Sequence, residues 1–261
     1  MTASPASTDL IDLHGVQVQL VRAGGKGPRM LLLHGAGGSV AQAPFFARLA
    51  ERFDIYAPTH PGFAGSPMPD HFDAADDLAY LYLDLLDKYD LRDAVVLGFS
   101  FGGWIAAEVA TKSTARIGKL VLVDAVGIRI SGPTVRDIAD IYAMAPMDAN
   151  RLLYHDPSKV PDLSGLPDEA FTALAKNREA LTVYGWEPYL HNPKLTRRLH
   201  RVNVPTLVLW GANDRLVSAD YGRKYAELIP GARFTAIPDC GHLPQAEQPE
   251  AFLRHVVDFA A

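Results

Sequence analysis

Gly98-Phe99-Ser100-Phe101-Gly102 follows an apolar run, Ala94-Val95-Val96-Leu97, and leads into Gly103-Trp104-Ile105-Ala106-Ala107-Glu108-Val109-Ala110. The run before it has the make-up of a buried strand, and the stretch after it that of a helix. A serine with a glycine two places away on each side, at a strand-to-helix turn, is the pattern of a nucleophile elbow. The turn holds the serine in a strained backbone conformation. Side chains at the two glycine positions would collide with neighbouring backbone. The serine Oγ then stands clear at a helix N-terminus, where the helix dipole favours developing negative charge.

Outward from this point, short apolar runs alternate with helical patterns. Strands are expected at residues 10–13 and 16–21 (paired with one another), 29–33, 53–57, 94–97, 120–123, 206–210 and 234–237. Helices are expected at 43–50, 75–89 and 249–259. The second of these is the most strongly patterned, with Leu78, Leu81, Tyr82, Leu85 and Leu86 at helical spacing and Asp76 and Asp77 in its first turn. Strand alternating with helix implies a mostly parallel sheet covered on both faces. The alternation breaks between the strand ending near Ala125 and the one beginning after Val202. Residues 135–144, 168–183 and 194–199 look helical there, with prolines between them. The chain therefore reads as a core of residues 1–125 and 202–261, with a helical cap inserted at 126–201. Gly24-Gly25-Lys26-Gly27 does not continue into a phosphate-binding pattern and is expected to form a hairpin turn.

Serine needs a base to take its proton. Of nine histidines, His242 is the best placed. It lies in Asp239-Cys240-Gly241-His242-Leu243-Pro244, directly after the last expected strand. Asp214, in Trp210-Gly211-Ala212-Asn213-Asp214, sits just past another strand end and between serine and histidine in chain order. Catalytic groups of open α/β sheets gather at these carboxyl ends. Asp124 also ends a strand and is the rival acid, although support of the cap entrance through hydrogen bonds is the expected role. A competing reading of Asp214 has it capping a helix that starts near Leu216. After the strand at 29–33 comes His34-Gly35-Ala36-Gly37-Gly38, whose small residues leave backbone N–H groups open to a substrate. The N–H groups of Phe101 and Ala36 are the expected oxyanion hole, with Gly37 as the alternative to Ala36. Phe101, Gly37, Trp186 and Leu243 are candidate substrate contacts. Cys240 lacks an elbow and reads as a small buried residue. The acidic cluster Asp70, Asp73, Asp76 and Asp77 around His71 reads as a solvated loop feeding a helix N-terminus.

These segments resemble the α/β-hydrolase-fold serine hydrolases, a group that includes carboxylesterases and meta-cleavage product hydrolases. The resemblance rests on His34-Gly35, the Ser100 elbow, the Trp210–Asp214 segment and Gly241-His242, in that family's order. It implies an eight-stranded, mostly parallel sheet with helices on both faces, a catalytic triad of Ser100, Asp214 and His242, and neither a metal nor an organic cofactor. It implies cleavage of a carboxylic ester of a small, largely apolar molecule. Carbon–carbon bond hydrolysis of the meta-cleavage type, with Arg178 for the substrate carboxylate, is the second reading. A non-catalytic ligand receptor on the same fold is the third. The chain departs from the family at Pro58-Thr59-His60-Pro61-Gly62-Phe63-Ala64-Gly65-Ser66, where Thr59 replaces a common aspartate and Ala64 a common glycine. It departs from meta-cleavage relatives at Leu243, where they commonly carry tryptophan, and at Gly37-Gly38, where they carry proline-glycine.

The bulk properties narrow the partners. With 261 residues, 48% hydrophobic and 21% charged, the chain has ample material for one large core. A net charge of −5 without a basic block argues against nucleic acid or an anionic membrane surface as a partner. No secretory pattern or bilayer-length apolar run is seen. The single cysteine allows no internal disulfide. A cytoplasmic enzyme acting on a small molecule is expected, with a homodimer left open.

Overall fold

The computed structural model describes residues 4–40, 43–132 and 134–260. Eight strands form one sheet: β1 (Ser4–Leu13), β2 (Val16–Gly24), β3 (Arg29–Leu33), β4 (Asp54–Pro58), β5 (Ala94–Phe99), β6 (Ile117–Val123), β7 (Thr206–Gly211) and β8 (Arg233–Ile237). Their spatial order is β1-β2-β4-β3-β5-β6-β7-β8. β2 runs antiparallel to both neighbours, and every other pairing among β3 to β8 is parallel. The helices are α1 (Pro44–Ala50), α2 (Ala75–Lys88), α3 (Phe101–Lys112), α4 (Pro146–Leu152), α5 (Asp168–Gly185), α6 (Ala219–Leu228), α7 (Pro244–Glu247) and α8 (Pro249–Ala260).

The two faces of the sheet can be read residue by residue. Leu31, Leu33, Val96, Leu120, Leu122, Val208 and Trp210 point to one side and pack on α2, α3 and α6. Their neighbours Met30, Leu32, Val95, Leu97, Val121, Val123, Leu207 and Leu209 point to the other and pack on α1 and α8. Side chains alternate across a strand, and a sheet covered on both faces makes every position apolar. That is why β5 and β7 are continuous hydrophobic runs, buried at every residue. All five of the periodic residues of α2 are buried. Asp77 at its start accepts the N–H groups of Asp73 and Ala74, so this one acid of the cluster works as a helix cap.

Three local expectations fail. Gly24 to Gly27 does not turn a hairpin, because β4 lies between β2 and β3. The segment is instead pressed against the α1–β4 turn, where a Cβ on Gly24 would stand 2.0 Å from Phe53 O and one on Gly27 2.1 Å from Arg52 O. Residues 135–144 are not helical. Asp137 accepts the N–H groups of Ile130 and Ser131, and Asp140 those of Tyr142 and Ala143. Asp140 thus ties its acceptor into a local turn inside the stretch, and Asp137 reaches back to close the turn before it. Ile138 instead makes a single bridge to Val217. Residues 194–199 give two 3-10 turns, Leu195–Arg197 and Leu199–Arg201. Between β6 and β7 the described residues contain α4, α5 and short turns, with no named strand. No described helix is long and apolar enough to cross a membrane.

Candidate active site

Ser100 stands between β5 and α3 with φ 48° and ψ −109°. Such backbone costs roughly 1–3 kcal/mol and persists only where the surroundings impose it. They do so here. A Cβ on Gly98 would lie 2.2 Å from Gly102 O, and one on Gly102 the same distance from Leu33 O. The strand and helix therefore meet at a separation that only glycine permits. The Ser100 N–H is held by Val123 O at 2.8 Å, and its carbonyl accepts from Trp104 N and Val126 N.

Two further strand-end loops reach this serine. His242 follows β8, and its Nε2 lies 2.8 Å from Ser100 Oγ. Its Nδ1 lies 2.7 Å from Asp214 Oδ2, in the loop after β7. A carboxylate only accepts, so Nδ1 carries the proton and Nε2 is left to receive the Ser100 hydroxyl proton. Asp214 and His242 are 8% and 4% exposed, so these two members of the row are shielded from water, while Ser100 is partly exposed. The second oxygen of Asp214 accepts from Leu216 N at 2.8 Å and Val217 N at 3.1 Å. Asp214 thus closes its own turn and orients the imidazole together; α6 begins only at Ala219. The rival Asp124 accepts from Gly211 N at 2.8 Å and makes no direct bond to His242. Among the described residues, the three with metal-ligand spacing are Asp124, Asp214 and His242, and both His242 nitrogens and both Asp214 oxygens there already have hydrogen-bond partners.

The His34–Gly38 loop borders the serine, with Gly35 packed against Phe99 O and Ser100 Cβ. Ala36 is partly exposed, Gly37 is exposed, and a Cβ on Gly37 would meet open space. Two features that spacing does not show hold this loop. His34 and His60 are both buried, with ring centroids 3.7 Å apart. His34 Nε2 accepts from His60 N, while His60 Nε2 donates to His34 O. Tyr82 donates its hydroxyl to His60 Nδ1. Burial holds the His34 imidazole down to about 4 and pushes that of His60 well below its usual value, so both are neutral. Asn177, buried on α5, donates Nδ2 to Gly37 O at 3.0 Å and accepts from Ala64 N at 2.7 Å. The His242 loop has its own clamp. Buried Glu247 accepts the N–H groups of Gly241, His155 and Asp156, and His242 N donates to Leu153 O.

The candidate substrate contacts fare unevenly. The Phe101 ring is 1% exposed and is packed among His60, Phe63, Trp104 and Tyr184. The ring belongs to the aromatic core beneath the elbow. Trp186 is 55% exposed. It lines a hollow of about 290 Å³ whose other walls, among them Ile128, Ile138 and Tyr189, include no triad residue. This hollow does not bring Trp186 together with the triad. Leu243 is partly exposed beside His242. Cys240 is buried, and burial pushes its thiol up, away from the reactive thiolate. Arg178 donates to Ile141 O and lies 5.0 Å over the Tyr142 ring.

The chain is 31% identical over 257 residues to a 2-hydroxy-6-oxononadienedioate/2-hydroxy-6-oxononatrienedioate hydrolase of Cupriavidus pinatubonensis, covering 88% of this chain and 86% of that protein. A similarly named hydrolase of Pseudomonas putida is 30% identical with the same coverage. A serine hydrolase of the polyaromatic-hydrocarbon-degrading bacterium Cycloclasticus zankles superposes with a TM-score of 0.81 at 20% identity, covering 98% of each chain. A meta-cleavage product hydrolase of Pseudomonas fluorescens IP01 gives 0.78 at 22%, covering 97% of this chain and 96% of that one. At such identities these two superpositions speak for the fold alone. The Alpha/beta hydrolase family model matches residues 30–255, which take in the elbow, the acid turn and the histidine loop alike: the chain belongs to the α/β-hydrolase family.

Proposed function

We propose that this protein is a serine hydrolase that cleaves a carboxylic ester of a small, largely apolar substrate through an acyl-enzyme. The observation that carries the reading is the row Ser100 Oγ, His242 Nε2, His242 Nδ1 and Asp214 Oδ2, at 2.8 and 2.7 Å with one tautomer allowed. Ser100 attacks the ester carbonyl as His242 takes its proton. The imidazolium then donates that proton to the departing alcohol, with Asp214 stabilising the charge. Water attacks the acyl-enzyme with His242 again as base. The N–H of Phe101, first residue of α3, has no acceptor within its helix. Together with the N–H of Ala36 it receives the oxyanion, and Gly37 is the alternative to Ala36. Losing one such donor costs roughly 3 kcal/mol of barrier. Residues 126–201 act as the cap that excludes water and sets substrate size.

A short-chain chromogenic ester tests this. Ser100→Ala is expected to bring turnover to background, and ester turnover that survives it overturns the serine mechanism. Irreversible fluorophosphonate labelling of Ser100 without multiple turnover would instead favour a receptor.

One observation favours a second reading. The relatives at 30 and 31% identity are named for hydrolysis of a conjugated oxo-dienedioate. In that reading the same triad cleaves a carbon–carbon bond, and Arg178 turns from Ile141 O to the substrate carboxylate. Leu243 and Gly37-Gly38 weigh against it. A dienoate assayed beside the ester panel decides between them.

A further inference from the structure

Asp124 is a buried group beside the triad that the acyl-enzyme route leaves unused. It directly follows β6 at φ 45° and is fully buried. Its Oδ1 accepts the N–H of Gly211, at the end of β7. Its Oδ2 is buried with no donor against it. The Asp214 carboxyl lies close enough to push that of Asp124 upward. One atom each of Asp124, Asp214 and His242 lie within 4.8 Å of one another.

Two buried carboxyl groups this close do not both ionise. The donors around them decide which keeps the proton. Asp214 receives three: Leu216 N–H, Val217 N–H and His242 Nδ1–H. Asp124 receives one. The charge belongs on Asp214 and the proton on Asp124. Placed on Oδ2, that proton turns an orphaned buried oxygen into a donor and leaves no polar atom of the pair unpaired.

On the triad reading above, we propose that Asp124 is a positioning residue, a neutral acid that donates Oδ2–H to Asp214 and becomes the partner of His242 when Asp214 is removed. As a fourth donor it fixes the rotamer of Asp214 without adding charge beside the imidazole. The other ionisable groups that bear on it agree. Burial and the charges of Asp214 and Glu247 push the Asp124 carboxyl well above the usual carboxylate range. The Cys240 thiol, raised by burial and by these same acids, stays neutral.

The test uses the rate at which an alkyl fluorophosphonate labels Ser100, which requires no knowledge of the substrate. Asp124→Asn keeps a donor toward Asp214 and an acceptor for Gly211, so its rate stays within about tenfold of wild type. Asp214→Ala slows labelling but leaves Asp124 free to ionise and support His242. Adding Asp124→Asn to Asp214→Ala removes that reserve and costs at least about a further tenfold. Equal rates for the Asp214→Ala single and double variants overturn the proposal, as does Asp124→Asn labelling as slowly as Asp214→Ala. Infrared spectroscopy gives an answer independent of catalysis. A protonated carboxyl C=O band present at neutral pH and lost in Asp124→Asn supports the assignment, and its absence from wild type overturns it. A wild-type protein that fails to label defeats the hydrolase reading instead, and the infrared band still decides the state of Asp124.

Discussion

Asp214 shows how much one side chain is asked to do. Its Oδ1 takes two backbone N–H groups and its Oδ2 takes the imidazole. In Asp214→Asn the amide oxygen must stay with the two N–H groups, because the reverse orientation sets an NH2 against both. The NH2 then faces His242 Nδ1 and forces the proton onto Nε2, where it blocks acceptance from Ser100. We expect kcat to fall by about 10⁴, as for the analogous change in a serine protease, with little change in folding. A fall below about tenfold in steady-state ester hydrolysis contradicts this and moves the acid role elsewhere. Ser100, Asp214 and His242 were all legible in the sequence because each sits in a strand-end turn whose glycines and neighbours mark it. Asn177 and Glu247 were not. The acceptors and donors of Asn177 lie 113 and 140 residues away, and nothing in local spacing announces them.

At the scale of elements, α5 ties the stretch between β6 and β7 to the loops beside Ser100. Asn177 projects from it to hold Gly37 O and Ala64 N, in the two loops on either side of the His34–His60 pair. Asn177→Ala leaves both partners without that bond. We expect a loss of about 2 kcal/mol in stability from two orphaned backbone groups. We also expect kcat to fall about tenfold, because the N–H groups beside Gly37 lose their aim. Urea unfolding measures the first and ester kinetics the second. A destabilised variant with unchanged kcat would limit Asn177 to holding the fold. The elements themselves were legible where burial is two-sided or strongly periodic, as in β3, β5, β7 and α2. They were misread where side chains close local turns, at Asp137 and Asp140, and where a non-adjacent strand intervenes. The hairpin expected at Gly24–Gly27 fails because chain order does not reveal that β4 separates β2 from β3.

For the molecule as a whole, the same buried groups set the acid limit of the fold. His34 is held down to about 4 and His60 well below 6.5, chiefly by desolvation. Above pH 6.5 neither folded nor unfolded chain protonates them. As pH falls from 6.5 toward 4 the unfolded chain takes up protons that the folded chain refuses. Each of the two then removes about 1.4 kcal/mol per pH unit, and for His34 the total is about 3 kcal/mol by pH 4. His255, lowered by partial burial and Arg254, acts in the same direction. Asp124 opposes them. Its raised carboxyl keeps a proton that the unfolded chain has lost above about 3.8, so it contributes stability that grows as pH falls through its own folded value. Two fully buried imidazoles stand against one carboxyl, so on balance stability falls on acidification. Urea midpoints should therefore drop steadily between pH 6.5 and 4.5. Asp124→Asn, which cannot titrate, should steepen that slope by about one further proton over whatever part of the interval lies below the folded value of Asp124. A wild-type stability that stays flat or rises on acidification across this window would mean that the His34–His60 pair can be charged within the fold, and that the loop beside Ser100 does not depend on its neutrality.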